Sequence, residues 1–205
     1  MKIIDISWPI INEMTEYKDR NNLKINSTIT MHPHTGTHVD AQAHFTPGGK
    51  TVEQLEPNQF IGHCRVVDLT NVKEKITAND LESHAIKQDE IILFKTKNSA
   101  LKNNAPFDPE FIYLDKTGAK YCVEQKIKAV GIDYLGIERN QPGHETHALL
   151  LENNIGIIEG LRLAHAEADQ YFLICLPLLI PGADASPARA ILCKADNTIL
   201  QYNFL

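Results

Sequence analysis

The chain has 205 residues, 43% of them hydrophobic and 22% charged, with a formal net charge of −6 and an isoelectric point near 5.8. That length suits one domain, residues 1–205, with a sizeable core, and the composition argues against disorder. Lysine and arginine are scattered, so no basic stripe marks a nucleic-acid partner, and no run approaches the ~18 apolar residues of a membrane span.

In chain order, Lys2–Ser7 (KIIDIS) and Asn26–Met31 (NSTITM) carry strand patterns, the second through Thr/Ile alternation. Asp5 interrupts the first run too early for a signal-peptide core, so a cytoplasmic protein is expected. Cys64–Leu69 (CRVVDL) and Glu90–Lys95 (EIILFK) are further strands. Between them Thr77–Ser83 starts a helix, with Thr77 and Asp80 at capping-box spacing. Lys95–Pro109 is polar and predicts an exposed loop. Thr117–Lys126 is helical in pattern and leads into the strand Lys128–Asp133. A helix over Thr146–Glu152, stopped by Asn153 and Asn154, precedes a short strand, Ile155–Ile158. Gly160–Ala168 (GLRLAHAEA) predicts a helical turn or two, and Tyr171–Pro177 and Arg189–Ala195 are strands. The apolar run Tyr171–Pro181, broken by Pro177 and Pro181, reads as a buried strand. Strands interspersed with helices predict an α/β or α+β chain, of which we adopt α/β: a mixed β-sheet with flanking helices. Strand order is not legible at this level.

Cys64, Cys122, Cys175 and Cys193 are far apart, without a CxxC pair, and most have apolar neighbours. They read as buried thiols in a reducing compartment.

The densest chemistry is His34–Phe45, HTGTHVDAQAHF. His34, His38, Asp40 and His44 share parity with Gly36 and Gln42, while Val39, Ala41, Ala43 and Phe45 share the other. An extended chain puts every candidate ligand on one face. A helical reading fits worse, because Gly36 intervenes and no HExxH glutamate follows His34. A straight strand would set the Cα atoms of His34 and His38 about 13 Å apart at ~3.3 Å per residue, too far for one ion. The chain must bend, and Gly36 is the residue that bends at least cost. Asp40 follows His38 closely enough to share a metal, and carboxylate with imidazole suits Zn²⁺ or Mn²⁺. Any single histidine is more simply a hydrogen-bonded loop residue, the reading given to His32 and His63. The combined pattern HxGTHxDxxxH points to a metal site.

This stretch closely resembles the signature of the cyclase-like family of metal-dependent hydrolases, to which bacterial kynurenine formamidases and isatin hydrolases belong. That signature runs His-x-Gly-Thr-His-x-Asp-x-Pro-x-His, and Gln42 stands where the family has proline. IDISWPI resembles the family's start, VGIDYLGIE its GxD segment with Asp133, and IIEGLRL its glutamate-leucine stretch. LPLLIPGADASPARAIL resembles its C-terminal run. The resemblance implies a swivelling β/β/α cyclase-like fold. It implies that His34, His38 and Asp40 hold one metal and that Asp40 reaches a second. Glu159 would bridge both, His147 would complete the second site, and His44 would transfer protons. Tyr17 would line the substrate pocket, with Lys18 and Asp19 replacing the Pro-Gly that usually follows. Two Zn²⁺, with Mn²⁺ as an alternative, and a homo-oligomer, dimer or tetramer, are implied in the same way.

Spacing alone leaves His144, Glu145 and His147 of PGHETH open, and the choice of His147 rests on the resemblance. Glu159 follows the apolar IGII, where a charge must end in solvent, in a pair or on a metal. His84 and His165 are expected to face solvent, and Asp184 and Arg189 to be structural near the pocket. No GxSxG elbow occurs. A metal-activated water with one unligated histidine as base suits hydrolysis of an unreactive amide. The implied substrate is a small amide, N-formylkynurenine first and an isatin-like cyclic amide or a lactone second. The reading from another class is a non-catalytic metal- or ligand-binding protein of the same fold.

Overall fold

Short apolar runs rich in β-branched residues build a sheet whose central strands are buried on both faces. The computed structural model describes residues 2–20, 23–25 and 28–194. Its strands are β1 (Lys2–Asp5), β2 (Lys24–Ile25), β3 (Ile29–Thr30), β4 (His38–Asp40), β5 (Ile61–Asp68) and β6 (Lys75–Ile76), then β7 (Ile91–Lys95), β8 (Tyr113–Leu114), β9 (Ala129–Ile132), β10 (Gly156–Glu159), β11 (Gln170–Pro177) and β12 (Ala185–Lys194). Helix α1 spans Ala78–Glu82, α2 Lys116–Glu124 and α3 Glu145–Glu152.

Eight strands join in the order β1-β12-β11-β5-β7-β9-β10-β4, and β4 pairs back onto β12. The sheet thereby curls into a barrel-like ring, with β1 as an extra strand on β12. The β5–β7, β7–β9 and β9–β10 pairs are parallel and the others antiparallel, so the architecture is α/β with a mixed sheet. Alternation sorts the side chains. Ile91, Leu93, Ala129 and Ile158 join Val39, Phe60, Leu173 and Leu192 in one cluster. Ile92, Phe94, Val130 and Ile157 face the other way, against Leu81, Cys122 and Leu150 of the helices. That two-sided burial is why these strands read as continuous apolar runs.

The helix signals hold locally. Asp80 accepts from the amide and hydroxyl of Thr77, as the capping box predicts. The α2 helix begins earlier than expected because the Asp115 carboxylate caps Thr117 and Gly118.

Four expectations fail for tertiary reasons. Gly160–Ala168 forms no helix: Gly160 is left-handed at φ +68, and the amides of Leu161 and Arg162 donate to Ile132 and Ile6 of neighbouring segments. Lys95–Pro109 is not simply an exposed loop. Thr96 and Asn98 are each 1% exposed, because the buried Asp133 carboxylate accepts from Thr96 and Ser99. The Tyr171–Pro181 run stays in the sheet only to Pro177, and Leu178 and Leu179 are 56% and 77% exposed. Among the described residues of the strand expected over Asn26–Met31, Ile29–Thr30 form β3, paired with β2 outside the main sheet. Asn26 and Ser27, like Ala195 at the end of the last strand, lie outside the described residues.

Cys64, Cys122 and Cys175 are buried and free, and burial pushes each thiol up to about 12. Cys193 is free and half-buried.

Candidate metal centre

Backbone pairing sets the centre of the site. On β4, Val39 points into the barrel interior while His38 and Asp40 point to the opposite face. Glu159, the last residue of β10, is the cross-strand partner of His38. The predicted bend is present: Gly36 has φ +65, and its carbonyl accepts from Nδ1 of His38 at 2.9 Å. That bond leaves Nε2 of His38 facing Glu159 at 3.2 Å and Asp40 at 3.5 Å. The bend carries His34 back, so that its Nδ1 lies 3.1 Å from Asp40. From the facing helix α3, Nε2 of His147 reaches Asp40 at 3.4 Å and Glu159 at 3.3 Å. Fold and sequence thus bring His34, His38, Asp40, His147 and Glu159 into one cluster.

The single-face alternation expected for the whole stretch holds only over β4. After Ala41 the chain turns into a 3-10 helix, Gln42–His44, and this turn delivers His44. Its ring centroid lies 4.1 Å from that of His34, and its Nδ1 lies 3.1 Å from Asp184. Gln42, in the place of the family proline, donates to the Leu151 carbonyl and accepts from the Lys50 amide. A proline could make neither bond. The close approach of two turns completes the frame: a Cβ on Gly160 would lie 2.1 Å from the Gly36 carbonyl oxygen.

His38, Asp40, His147 and Glu159 are at most 5% exposed. Burial would raise the Asp40 carboxyl, but His147 and His34 beside it hold it well below the usual range. Burial would lower His34, yet Asp40, Glu159 and Asp184 lift it to about 9. Burial opposes charge on His147 too, and Asp40, Glu138 and Glu159 raise it well above an ordinary imidazole. The site attracts positive charge, and a cation would displace these protons. Nε2 of His38, both Asp40 oxygens and Nδ1 of His147 are buried and make no hydrogen bond of good geometry, only the ion-pair contacts at 3.1 to 3.5 Å. Buried polar atoms so poorly satisfied are costly unless something coordinates them, and carboxylate oxygen with imidazole nitrogen is the ligand set for Zn²⁺ or Mn²⁺. The residues fit a divalent cation.

Three residues of the site were not picked out as such in the sequence. Glu138 is 6% exposed and faces both His144 and His147. Its signal was present, a carboxylate closing the apolar run Tyr134–Ile137, the same argument that flagged Glu159. Asp184 binds His44 and His34 and so belongs to the cluster rather than to its periphery. His144, with Nδ1 2.5 Å from Glu138, sits at the rim in a left-handed conformation. Arg189 lies away from the pocket, paired with Asp5 on the surface. Asp133 is a scaffold carboxylate, remote from the histidines in its contacts. His63 lies exposed on β5, not in a loop, and His165 is exposed as expected. His84 is half-buried, and His32 lines the cavity.

A cavity of about 250 Å³ opens on the cluster, lined among others by Tyr17, His32, His44, Phe45 and Glu159. A barrel-like mixed sheet that buries carboxylates and imidazoles at the floor of one small cavity defines an α/β protein with a cation-ready centre. The chain belongs to the family described as "Putative cyclase", whose model matches residues 4–139. It is 31% identical over 189 residues to a kynurenine formamidase of Bacillus cereus, covering 92% of this chain and 85% of the relative. A solved structure described as a potential metal-dependent hydrolase with cyclase activity superposes with a TM-score of 0.88 at 40% identity, covering 93% and 96% of the two chains. Isatin hydrolase A of Labrenzia aggregata shares the fold, with a TM-score of 0.76 at 21% identity and 93% of each chain covered.

Proposed function

We propose that the protein is a metal-dependent hydrolase of amide C–N bonds, acting on an aryl formamide such as N-formylkynurenine. One observation carries this reading: buried ligand atoms of His38 and Asp40 that make no hydrogen bond of good geometry stand beside a half-buried histidine, His44, that a separate carboxylate holds. Likeness to a kynurenine formamidase over most of both chains supports amide chemistry.

His34 and His38 would hold one cation and His147 a second, with the Asp40 and Glu159 carboxylates shared between the two. Bound Zn²⁺ or Mn²⁺ supplies polarisation of the amide carbonyl and a water whose pKa falls from ~15.7 to about 7. The proton traffic belongs to His44. Asp184 accepts a hydrogen bond from the Nδ1–H of His44, which leaves Nε2 of His44 as the basic nitrogen. Burial lowers the His44 pKa from its ordinary value, against the opposing pull of Asp40 and Asp184, which favours the neutral ring that a base requires. It takes a proton from the attacking water and returns it to the departing amine. Tyr17 and Phe45 present rings to the cavity and hold the aryl group of the substrate.

The deciding experiment is a screen of the metal-loaded protein on formanilides, isatin-like lactams and simple lactones. Turnover of formanilides is expected. Turnover of lactams alone moves the substrate to the cyclic amides, and no turnover at full metal loading makes the chain a non-catalytic binding protein.

We further propose a cytoplasmic homo-oligomer built from one domain spanning residues 1–205. Unpaired cysteines and the exposed Leu176, Leu178, Leu179 and Ile180 support this. A sedimentation mass of 23.0 kDa, that of one chain, would overturn the oligomer.

A further inference from the structure

The cavity has an unusual rim. Tyr17–Asp19 forms a 3-10 turn in which two consecutive non-glycine residues, Lys18 and Asp19, are left-handed at φ 54 and 50. A left-handed backbone is costly for a residue with a Cβ, so the surrounding structure must hold the turn. The Asp19 amide donates to Glu16, and the Asp19 carboxylate accepts from the Phe107 amide. The result of this strained turn is the placing of two cations. Lys18 Nζ lies 5.3 Å, and the Arg20 guanidinium 5.8 Å, from the centre of the Tyr17 ring, and all three residues line the cavity. The protein as a whole carries a net charge of −6, so this rim runs against its average.

Among the described residues neither cation has a carboxylate within ion-pair distance, the ion pairs there involving other lysines and arginines. Arg20 is instead held through Nη1, which lies 3.2 Å from Nε2 of His32. A guanidinium only donates, so that ring nitrogen accepts and brings no negative charge. Arg20 is thereby positioned while its charge and its remaining N–H groups stay available. The acids lining the cavity, Glu138 and Glu159, are buried and engaged with histidines and backbone amides. A ring-lined cavity with histidines and carboxylates at its floor and two uncompensated cations at its rim is shaped for a molecule that is aromatic in the middle and anionic at the outer end.

We propose that Lys18 and Arg20 recognise a carboxylate on the aryl amide substrate and make this chain selective for anionic over neutral amides. The proposal rests on the amide-hydrolase reading and adds the substrate's charge to it. Arginine's planar fork matches a carboxylate in two-point contact, and Lys18 adds a point charge beside it.

The test compares formanilides bearing a carboxylate at the ortho, meta or para position with their methyl esters, which keep the shape and lose the charge. For at least one isomer the metal-loaded wild type should show a kcat/KM at least about tenfold higher for the acid, and raised salt should shrink that ratio. In the double variant Lys18→Gln/Arg20→Gln the ratio should fall towards one. Lys120→Gln, on the exposed face of α2, should leave it unchanged. Ratios near one in the wild type, or a preference that survives in the double variant, overturn the proposal. If no formanilide is turned over, the amide reading fails on its own account. Calorimetric titration with the aminobenzoates and their methyl esters then decides the rim: an acid preference lost in the double variant supports it, and equal binding of acid and ester overturns it.

Discussion

Oε1 of Glu138 lies 3.3 Å from Nδ1 of His147, on the side of the ring away from Asp40 and Glu159, which face Nε2 at 3.4 and 3.3 Å. One imidazole is thus flanked by three carboxylates, two of them proposed ligands. The third, through Oε2, also accepts from the Thr146 and His147 amides at the start of α3. Glu138 therefore sets both the ring and the helix that carries it. Glu138→Gln puts an amide N–H₂ against these donors and should cost roughly 10- to 100-fold in metal affinity or activity. Metal titration of the purified variant checks this, and affinity equal to wild type would remove Glu138 from the support of His147.

Shared ligands predict unequal losses. Asp40→Ala should empty both metal positions, whereas His147→Ala should mainly weaken one. Elemental analysis of the two variants decides, and full metal content in Asp40→Ala would exclude that residue as a ligand.

His44 is set apart from its neighbours by its partner, Asp184. His44→Ala should lose about 10²- to 10⁴-fold in rate with metal retained, while His38→Ala should lose metal and rate together. Equal metal loss in the two variants would make His44 a ligand. Near-normal turnover in His44→Ala would leave it neither ligand nor base.

The same pair gives a pH dependence. Burial lowers the His44 pKa, while the Asp184 carboxylate favours the charged ring and opposes that shift. Asp184→Asn removes the opposition, so the His44 pKa should fall further. The acid limb of kcat/KM should therefore move to lower pH than in the wild type. A limb that stays in place or moves upward contradicts the assignment of His44 as the base.

Two close turns predict the largest effect on folding. Gly160 is left-handed, and a Cβ there would collide with the Gly36 peptide, the same peptide whose carbonyl orients His38. Gly160→Ala should destabilise the protein by about 2 kcal/mol or more and weaken metal binding as well. Denaturant unfolding of the metal-free protein separates the two effects.

The sequence by itself determined the residue types proposed as ligands and their local spacing. The bend at Gly36, the pairing of His38 with Asp40 on one face and the cap of α1 depend on residues a few positions apart, where glycine freedom, strand parity and capping act without help from the rest of the chain. Strand propensity likewise marked most of the sheet, because runs such as Ile91–Phe94 are buried on both sides. The tertiary structure decided what lies between distant segments. Gly160–Ala168 has a helical pattern, yet its amides find better partners on Ile6 and Ile132. Lys95–Pro109 is polar, yet Asp133 supplies the acceptors that allow Thr96 and Ser99 to be buried. Closure of β4 onto both β10 and β12 sets Glu159 opposite His38, and the docking of α3 brings His147 and Glu138 to the same point. No local pattern encodes such meetings, because they arise from non-local hydrogen bonding and from the packing of buried apolar faces.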